Sequence, residues 1–365
     1  MSGSRKGAVR VQVSRTAVIM KGALVGVLCA GFASLAGSPA VRQLNSSGAV
    51  QLLAAKRRVL YPMDHFVDRG YLRPSVQPGS YEQLWYAPLP LTALAPGCGP
   101  SVWTPQGNRG AGGAALFTTT IVPQAGGSPV AIAWINQAQA ITQIYAGTSQ
   151  PGGTWPFQAP IPASRYSTLL AAFEGGFQFT PGGGGFYQDG RYGAPLQPGD
   201  ASLVEYHDGD VAIGAWGSEV SMTPSVVAVR QNLTLLVDHG LVTPQASVAP
   251  LITWGYSLGN LVSTWRSGIG ITANGNLVWV GGPGLSPVEL GTVLVHAGAI
   301  EGMQLDINPD WPVLATYDPP TPGGLAAPSN GSKLVPSSVQ GPWTFFEAWW
   351  ARDFITMSVR STVAG

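Results

Sequence analysis

The sequence predicts an α+β fold: a strand-rich single domain with a mixed sheet and a few helices, preceded by an N-terminal membrane segment. Three observations lead there. Gly 49 and Pro 31 among 365 residues, with only 10% charged residues, describe a turn-rich body of largely buried strands. Short β-branched and apolar runs recur between turn residues, without the regular strand–helix alternation of a parallel α/β fold. A helix is signalled at Ser286-Pro287-Val288-Glu289, a capping box with proline at the first helical position, where a missing N–H costs nothing.

The chain opens on a basic stretch. Arg5, Lys6, Arg10, Arg15 and Lys21 precede the apolar run Gly22 to Gly37, and no acid interrupts them. Residues 1–16 read as a cytoplasmic basic tail and 17–38 as a transmembrane anchor. The alternative is a signal segment, because Ser38-Pro39-Ala40 loosely fits a small-x-small cleavage site. In both cases the positive charges keep the N-terminus inside, so the body lies outside, single-pass at the cell membrane or secreted. Cys29 falls in the apolar run and Cys98 in a Pro/Gly loop, so no disulfide is expected. Residues 39–110 read as a stalk or clasp, with a short basic helix from Gln51 to Leu60 and then Tyr, Trp and Pro without a sustained period.

Residues 111–365 form the main domain. Ala114 to Val122, Val130 to Asn136 and Ile141 to Ala146 read as three strands. Leu169 to Phe173 is a fourth, running into Glu174-Gly175-Gly176-Phe177, where a glycine pair lets the backbone approach a ligand or simply turns the chain. Ser202 to Tyr206 and Val211 to Trp216 flank the turn His207-Asp208-Gly209-Asp210; Ile269 to Thr272 and Leu277 to Val280 flank Asn274-Gly275, so both pairs are hairpins. Leu233 to Val237 is a strand ending at Asp238-His239-Gly240. The helix from Pro287 has Val288, Leu290, Val293, Leu294 and Ala297 on its apolar face and stops at Gly298. Ala299 to Leu305 is then a buried strand ending on Asp306, before Asn308-Pro309-Asp310-Trp311-Pro312 turns the chain. A long loop, Asp318 to Pro342, leads to a closing strand, Phe354 to Val359.

Composition narrows the function. The net charge is +1 and the basic residues form no periodic face beyond the N-terminus, which argues against nucleic acid. His65, His207, His239 and His296 are scattered singly, and no Cys/His cluster has metal spacing. No cofactor is implied; a divalent cation could sit where acids converge, although no ligand spacing demands one.

From about Ala114 to Arg360 the chain resembles the phosphodiester glycosidase family. The resemblance rests on Ala171-Ala172-Phe173-Glu174-Gly175-Gly176-Phe177, on Arg266-Ser267-Gly268-Ile269-Gly270-Ile271, and on the helix and strand from Leu285 to Asp306. Glu174 stands where the family has asparagine, and Ile307 and Asn308 stand where it has a glycine pair; the Ile-Asn-Pro-Asp-Trp continuation resembles an exported bacterial branch. The resemblance implies a sugar phosphodiester substrate in an envelope glycan. Glu174 and Asp306 would be the catalytic carboxylates, Arg266 would hold phosphate with its planar fork, and Gly175, Gly176 and Asn308 would admit and bind substrate. Two alternatives stand beside it. Arg266 and Asp306 could form an ion pair that closes the domain, with Glu174 exposed in a turn, and the protein could be a non-catalytic glycan-binding or structural envelope protein.

Overall fold

A computed structural model describes residues 88, 90–94, 98–110, 113–179, 184–248, 250–257, 259–321 and 323–360. The basic tail, the apolar run 17–38 and most of the stalk lie outside the described residues. The chain divides into two units, Met1–His65 and Phe66–Gly365, and everything described belongs to the second. No helix among the described residues is long and apolar enough to cross a membrane.

Among the described residues, eighteen strands fall into three sheets. The first, of eight strands, runs in the order β1 (Thr104–Gly110), β2 (Gly113–Ile121), β3 (Val130–Ile135), β14 (Leu277–Leu285), β13 (Thr264–Thr272), β15 (Ala299–Gln304), β11 (Leu235–Asp238), β12 (Leu241–Val242). The second is β7 (Arg191–Ala194), β6 (Phe186–Gln188), β10 (Val226–Gln231), β8 (Ala201–Tyr206), β9 (Val211–Ala215). The third is β17 (Gly331–Lys333), β16 (Leu314–Tyr317), β5 (Leu169–Glu174), β18 (Phe354–Val359), β4 (Ala140–Tyr145).

Two expectations are corrected here. The described body is mostly β rather than α+β: its α-helices are only α1 (Pro250–Trp254) and α2 (Pro287–His296). The sheets are not mixed, because every strand pair is antiparallel. The physical reason lies in the connections. Parallel neighbours need a crossover of a dozen or more residues, whereas hairpin turns such as Asn274-Gly275 return the chain beside itself. The α2 link is the nearest thing to a crossover, and it joins β14 to β15 across β13, which pairs antiparallel with both.

The helix starts as its sequence dictates. Ser286 Oγ accepts from the Glu289 amide at 3.2 Å, and Glu289 Oε2 accepts from the Ser286 amide at 2.7 Å. Gly298, at φ +98°, ends it in a conformation that a side chain would strain. Leu290, Val293 and Leu294 pack with Val278, Val280 and Leu236 on one face of the first sheet. The alternate residues Leu277 and Trp279, with Ile269, Ile271 and Met303, pack on the other face against Phe173, Leu203, Ile213 and Met357 of the other two sheets. The first sheet is therefore a middle layer, and the strand period of two sends each residue either towards the helix or towards the smaller sheets. The ends of strands from all three sheets meet at one junction.

Candidate active site at the junction of the three sheets

Glu174 is the last residue of β5 and Asp306 lies two residues past β15. Arg230 comes from β10, Asn232 follows that strand, Ser267 belongs to β13, and Arg352-Asp353 immediately precede β18. Each is buried, with none more than 5% exposed. Two ion pairs hold the group together: Arg352 Nη2 to Asp306 Oδ2 at 2.9 Å, and Arg230 Nε to Asp353 Oδ2 at 2.7 Å.

Asp306 is fixed from both sides. Its Oδ1 accepts from the amides of Ile307 at 2.7 Å and Asn308 at 2.9 Å, so the carboxylate itself shapes the turn. Its own amide donates to Ser267 Oγ at 3.1 Å, tying the end of β15 to β13. Burial raises its pKa above the usual carboxylate range, while Arg352 and the amides of Asn308 and Ile307 pull it back down.

Glu174 is held differently. Its Oε2 accepts from the Val313 amide at 3.0 Å, and its Oε1 has no hydrogen-bond partner. Burial pushes its pKa up to about 8 against the Ser267 hydroxyl and the Val313 amide, with the charge of Asp306 pushing further upward. At neutral pH it is therefore mainly a neutral carboxylic acid. Glu205 offers a contrast: burial raises its pKa to about 8 too, yet Gln143 Nε2 and the Ile144 amide, both at 2.7 Å, occupy its two oxygens. Glu205 is internally satisfied; Glu174 keeps one oxygen open.

Gly175 and Gly176 sit inside the cluster. A Cβ on Gly175 would stand 1.8 Å from Asp353 Oδ2. Gly176, at φ +115°, faces the Asn232 side chain and gives its carbonyl to Arg352 Nη2. Asn232 clamps the same corner, donating to the carbonyls of Gln304 and Leu305 at 2.6 and 2.7 Å while accepting from the Phe177 amide at 3.2 Å. Arg230 also reaches the Phe177 carbonyl and stacks 4.1 Å over the Phe179 ring; Arg352 lies 4.8 Å over Trp311.

The structure thus brings Glu174, Gly175, Gly176 and Asp306 together and sets Arg266 apart. Arg266 precedes Ser267 on β13, so its side chain leaves by the opposite face. There Nε donates to the Leu285 carbonyl at 2.9 Å, Nη2 to Val262 at 3.0 Å, and Nη1 to Trp254 at 3.3 Å and to Gln304 Oε1 at 2.5 Å. Burial lowers its pKa to about 10. The ion pair between Arg266 and Asp306, the alternative to a shared site, is not made; Arg352 takes that place. Asn308 contributes its amide to Asp306, and its side chain accepts from the Asp310 amide at 3.1 Å. Glu174 is buried rather than exposed in a turn, with 2% of its surface accessible.

Three atoms of this cluster make no hydrogen bond although they are buried: Glu174 Oε1, Asp353 Oδ1 and Arg352 Nε. Such atoms each cost about 1–3 kcal/mol, so their concentration in one group needs an explanation. Chemically the cluster offers a proton donor in Glu174, a carboxylate in Asp306 and two guanidinium groups. A cavity of about 490 Å³ lies elsewhere, lined by Cys98, Gln106, Thr118, Val122 and Leu334 among others, and touches none of these residues.

No family model matches the chain, and neither does any curated protein. Among solved structures, the catalytic domain of zebrafish N-acetylglucosamine-1-phosphodiester alpha-N-acetylglucosaminidase, auto-inhibited by its pro-peptide, is similar over 72% of this chain and 88% of its own, at 14% identity and a TM-score of 0.42. A hypothetical protein from Synechocystis is similar at 13% identity and a TM-score of 0.39, over 67% of this chain and 62% of its own. A protein described as exported, from Burkholderia pseudomallei, is similar at 12% identity and a TM-score of 0.29, over 66% of this chain and 74% of its own. These are distant likenesses of fold, and none assigns an activity to this chain.

Proposed function

We propose that the protein is an exported, membrane-anchored hydrolase that cleaves a sugar phosphodiester of an envelope glycan, with Glu174 and Asp306 as its acid–base pair. The observation that carries this reading is the open Oε1 of a protonated Glu174, grouped with the Asp306–Arg352 pair and two further buried polar atoms without partners. In this reaction water attacks the anomeric carbon and gives up a proton to Asp306. The bond from that carbon to the bridging oxygen breaks, its electrons stay on the phosphate, and Glu174 protonates the departing oxygen. This reading gives the phosphate to Arg352 rather than Arg266, because Arg352 pairs with Asp306 and its Nε has no partner. Gly175 and Gly176 let the chain pass close against Asp353 and Asn232, where a side chain would collide.

A second reading has its own support. Arg352 already spends Nη2 on Asp306 and the Gly176 carbonyl, and every charged group of the cluster is nearly inaccessible. That suits a polar lock which fastens the three sheets in a non-catalytic, glycan-binding or structural envelope protein. Release of free sugar from synthetic sugar phosphodiesters by the purified full chain tests the choice. Turnover that disappears in Glu174→Gln supports the hydrolase, whereas absence of release across a panel of sugars leaves the lock.

A further inference from the structure

At the other end of β15, five residues from Asp306 and so about 16 Å away along the strand, a second group of titratable side chains converges. Glu219, Asp238, His239 and Glu301 each present one ligand atom, all within 4.8 Å of one another. They come from three places: Glu219 from the turn after β9 in the second sheet, Asp238 and His239 from the β11–β12 hairpin, and Glu301 from β15. We infer that these four residues form a binding site for a first-row divalent transition-metal ion, Zn2+ or Mn2+, which clasps the second sheet to the first.

The charge balance of the group points to a cation. Three carboxyl groups face each other, and among the described residues His239 is the partner of Asp238 and Glu301, at 3.6 and 3.1 Å, with no Lys or Arg paired to any of the four. Glu301 supplies the second observation. Its side chain is 9% exposed, its Oε1 accepts from the His239 amide at 3.1 Å, and its buried Oε2 has no hydrogen-bond partner. Asp238 Oδ1 likewise makes no hydrogen bond. Glu219 is oriented through one oxygen, which accepts from the Ala215 amide at 2.8 Å. A carboxylate oxygen left open inside a group of acids is what a metal ligand looks like before the ion arrives.

The donor set selects the class of ion. One imidazole nitrogen with three carboxylate oxygens suits Zn2+ or Mn2+; Ca2+ takes six to eight oxygens, and Mg2+ keeps much of its water. Ligand atoms on a tetrahedral ion stand about 3.4 Å apart, so the widest separation in the group must contract by roughly 1.4 Å. Asp238 and His239, about half exposed, can rotate to make that contraction around the fixed Glu301.

The test uses the full chain, stripped with chelator and titrated calorimetrically with ZnCl2 or MnCl2, beside CaCl2 and MgCl2 as controls. The expected result is one ion bound per chain, with a melting temperature several degrees higher when loaded. Binding should weaken at least tenfold in Glu301→Gln and in the surface double variant D238N/H239A. The double variant decides alone if Glu301→Gln does not fold. Three results would overturn the site: no saturable binding of Zn2+ or Mn2+, unchanged binding in the variants, or binding confined to Ca2+ and Mg2+.

Discussion

At the scale of single residues the cluster turns on which atoms are satisfied. Asp306 has both oxygens engaged, with two amides on Oδ1 and Arg352 on Oδ2, which leaves one acceptor position on Oδ2. Replacing it by asparagine keeps the turn contacts but turns a neutral amide towards a buried guanidinium. Asp306→Asn should therefore cost about 3 kcal/mol in denaturant unfolding and, on the hydrolase reading, also reduce turnover of the remaining folded protein by about a hundredfold. Glu174→Gln should behave differently. A protonated acid and an amide are both neutral, so the melting temperature at pH 7 should hardly move, while the proposed general acid is lost. The pH profile carries the sign: a proton donor of pKa about 8 works when protonated, so turnover should be high below that value and fall as pH rises through it. Glu174, Gly175, Gly176 and Asp306 are legible in the sequence because each stands beside a strand end and a breaker. Arg230, Asn232, Ser267 and Arg352 are not, since their roles depend on three sheets meeting. Arg266 shows the limit most sharply: its type suits phosphate, but the face it takes is set by β13 and its neighbours, one residue out of step with Ser267.

At the scale of elements, the glycines after β5 and the cap of α2 make separable predictions. Gly175→Ala would drive a methyl into the Asp353 carboxylate that pairs with Arg230, and should destabilise by about 2 kcal/mol or more, read as a lower midpoint in urea. Ser286→Ala removes one of the two capping-box bonds and should cost about 1 kcal/mol without altering the site. Strand and hairpin positions can be read from local pattern because a turn such as Asn274-Gly275 is written in adjacent residues. Membership of the sheets cannot. β5, β16 and β18 pair across more than a hundred residues, and the order in which such strands lie follows from burial of the whole core. The same ambiguity explains the expectation of a mixed sheet: one well-capped helix between two strands looks like a crossover until β13 is found between them.

At the scale of the whole molecule, buried acids make folding pH-dependent. Glu174 and Glu205 each titrate near 8 when folded, against an ordinary value near 4.5. Between those values the folded state binds more protons than the unfolded one, so stability is greatest at the acid end and declines as pH rises through about 8. Melting temperature should fall between pH 6 and 9, and Glu174→Gln and Glu205→Gln should each flatten part of that fall. The same burial keeps the Glu174 acid protonated, which joins stability to the proposed chemistry. The most direct measurement is free-sugar release from synthetic sugar phosphodiesters by the full chain, run from pH 6 to 9 beside a thermal melt. The hydrolase account predicts turnover that falls as pH passes about 8 and drops at least a hundredfold in Glu174→Gln, with the melting temperature of that variant at pH 7 unchanged. Release that survives in Glu174→Gln, or no release by folded wild-type protein from any of the diesters, would contradict it.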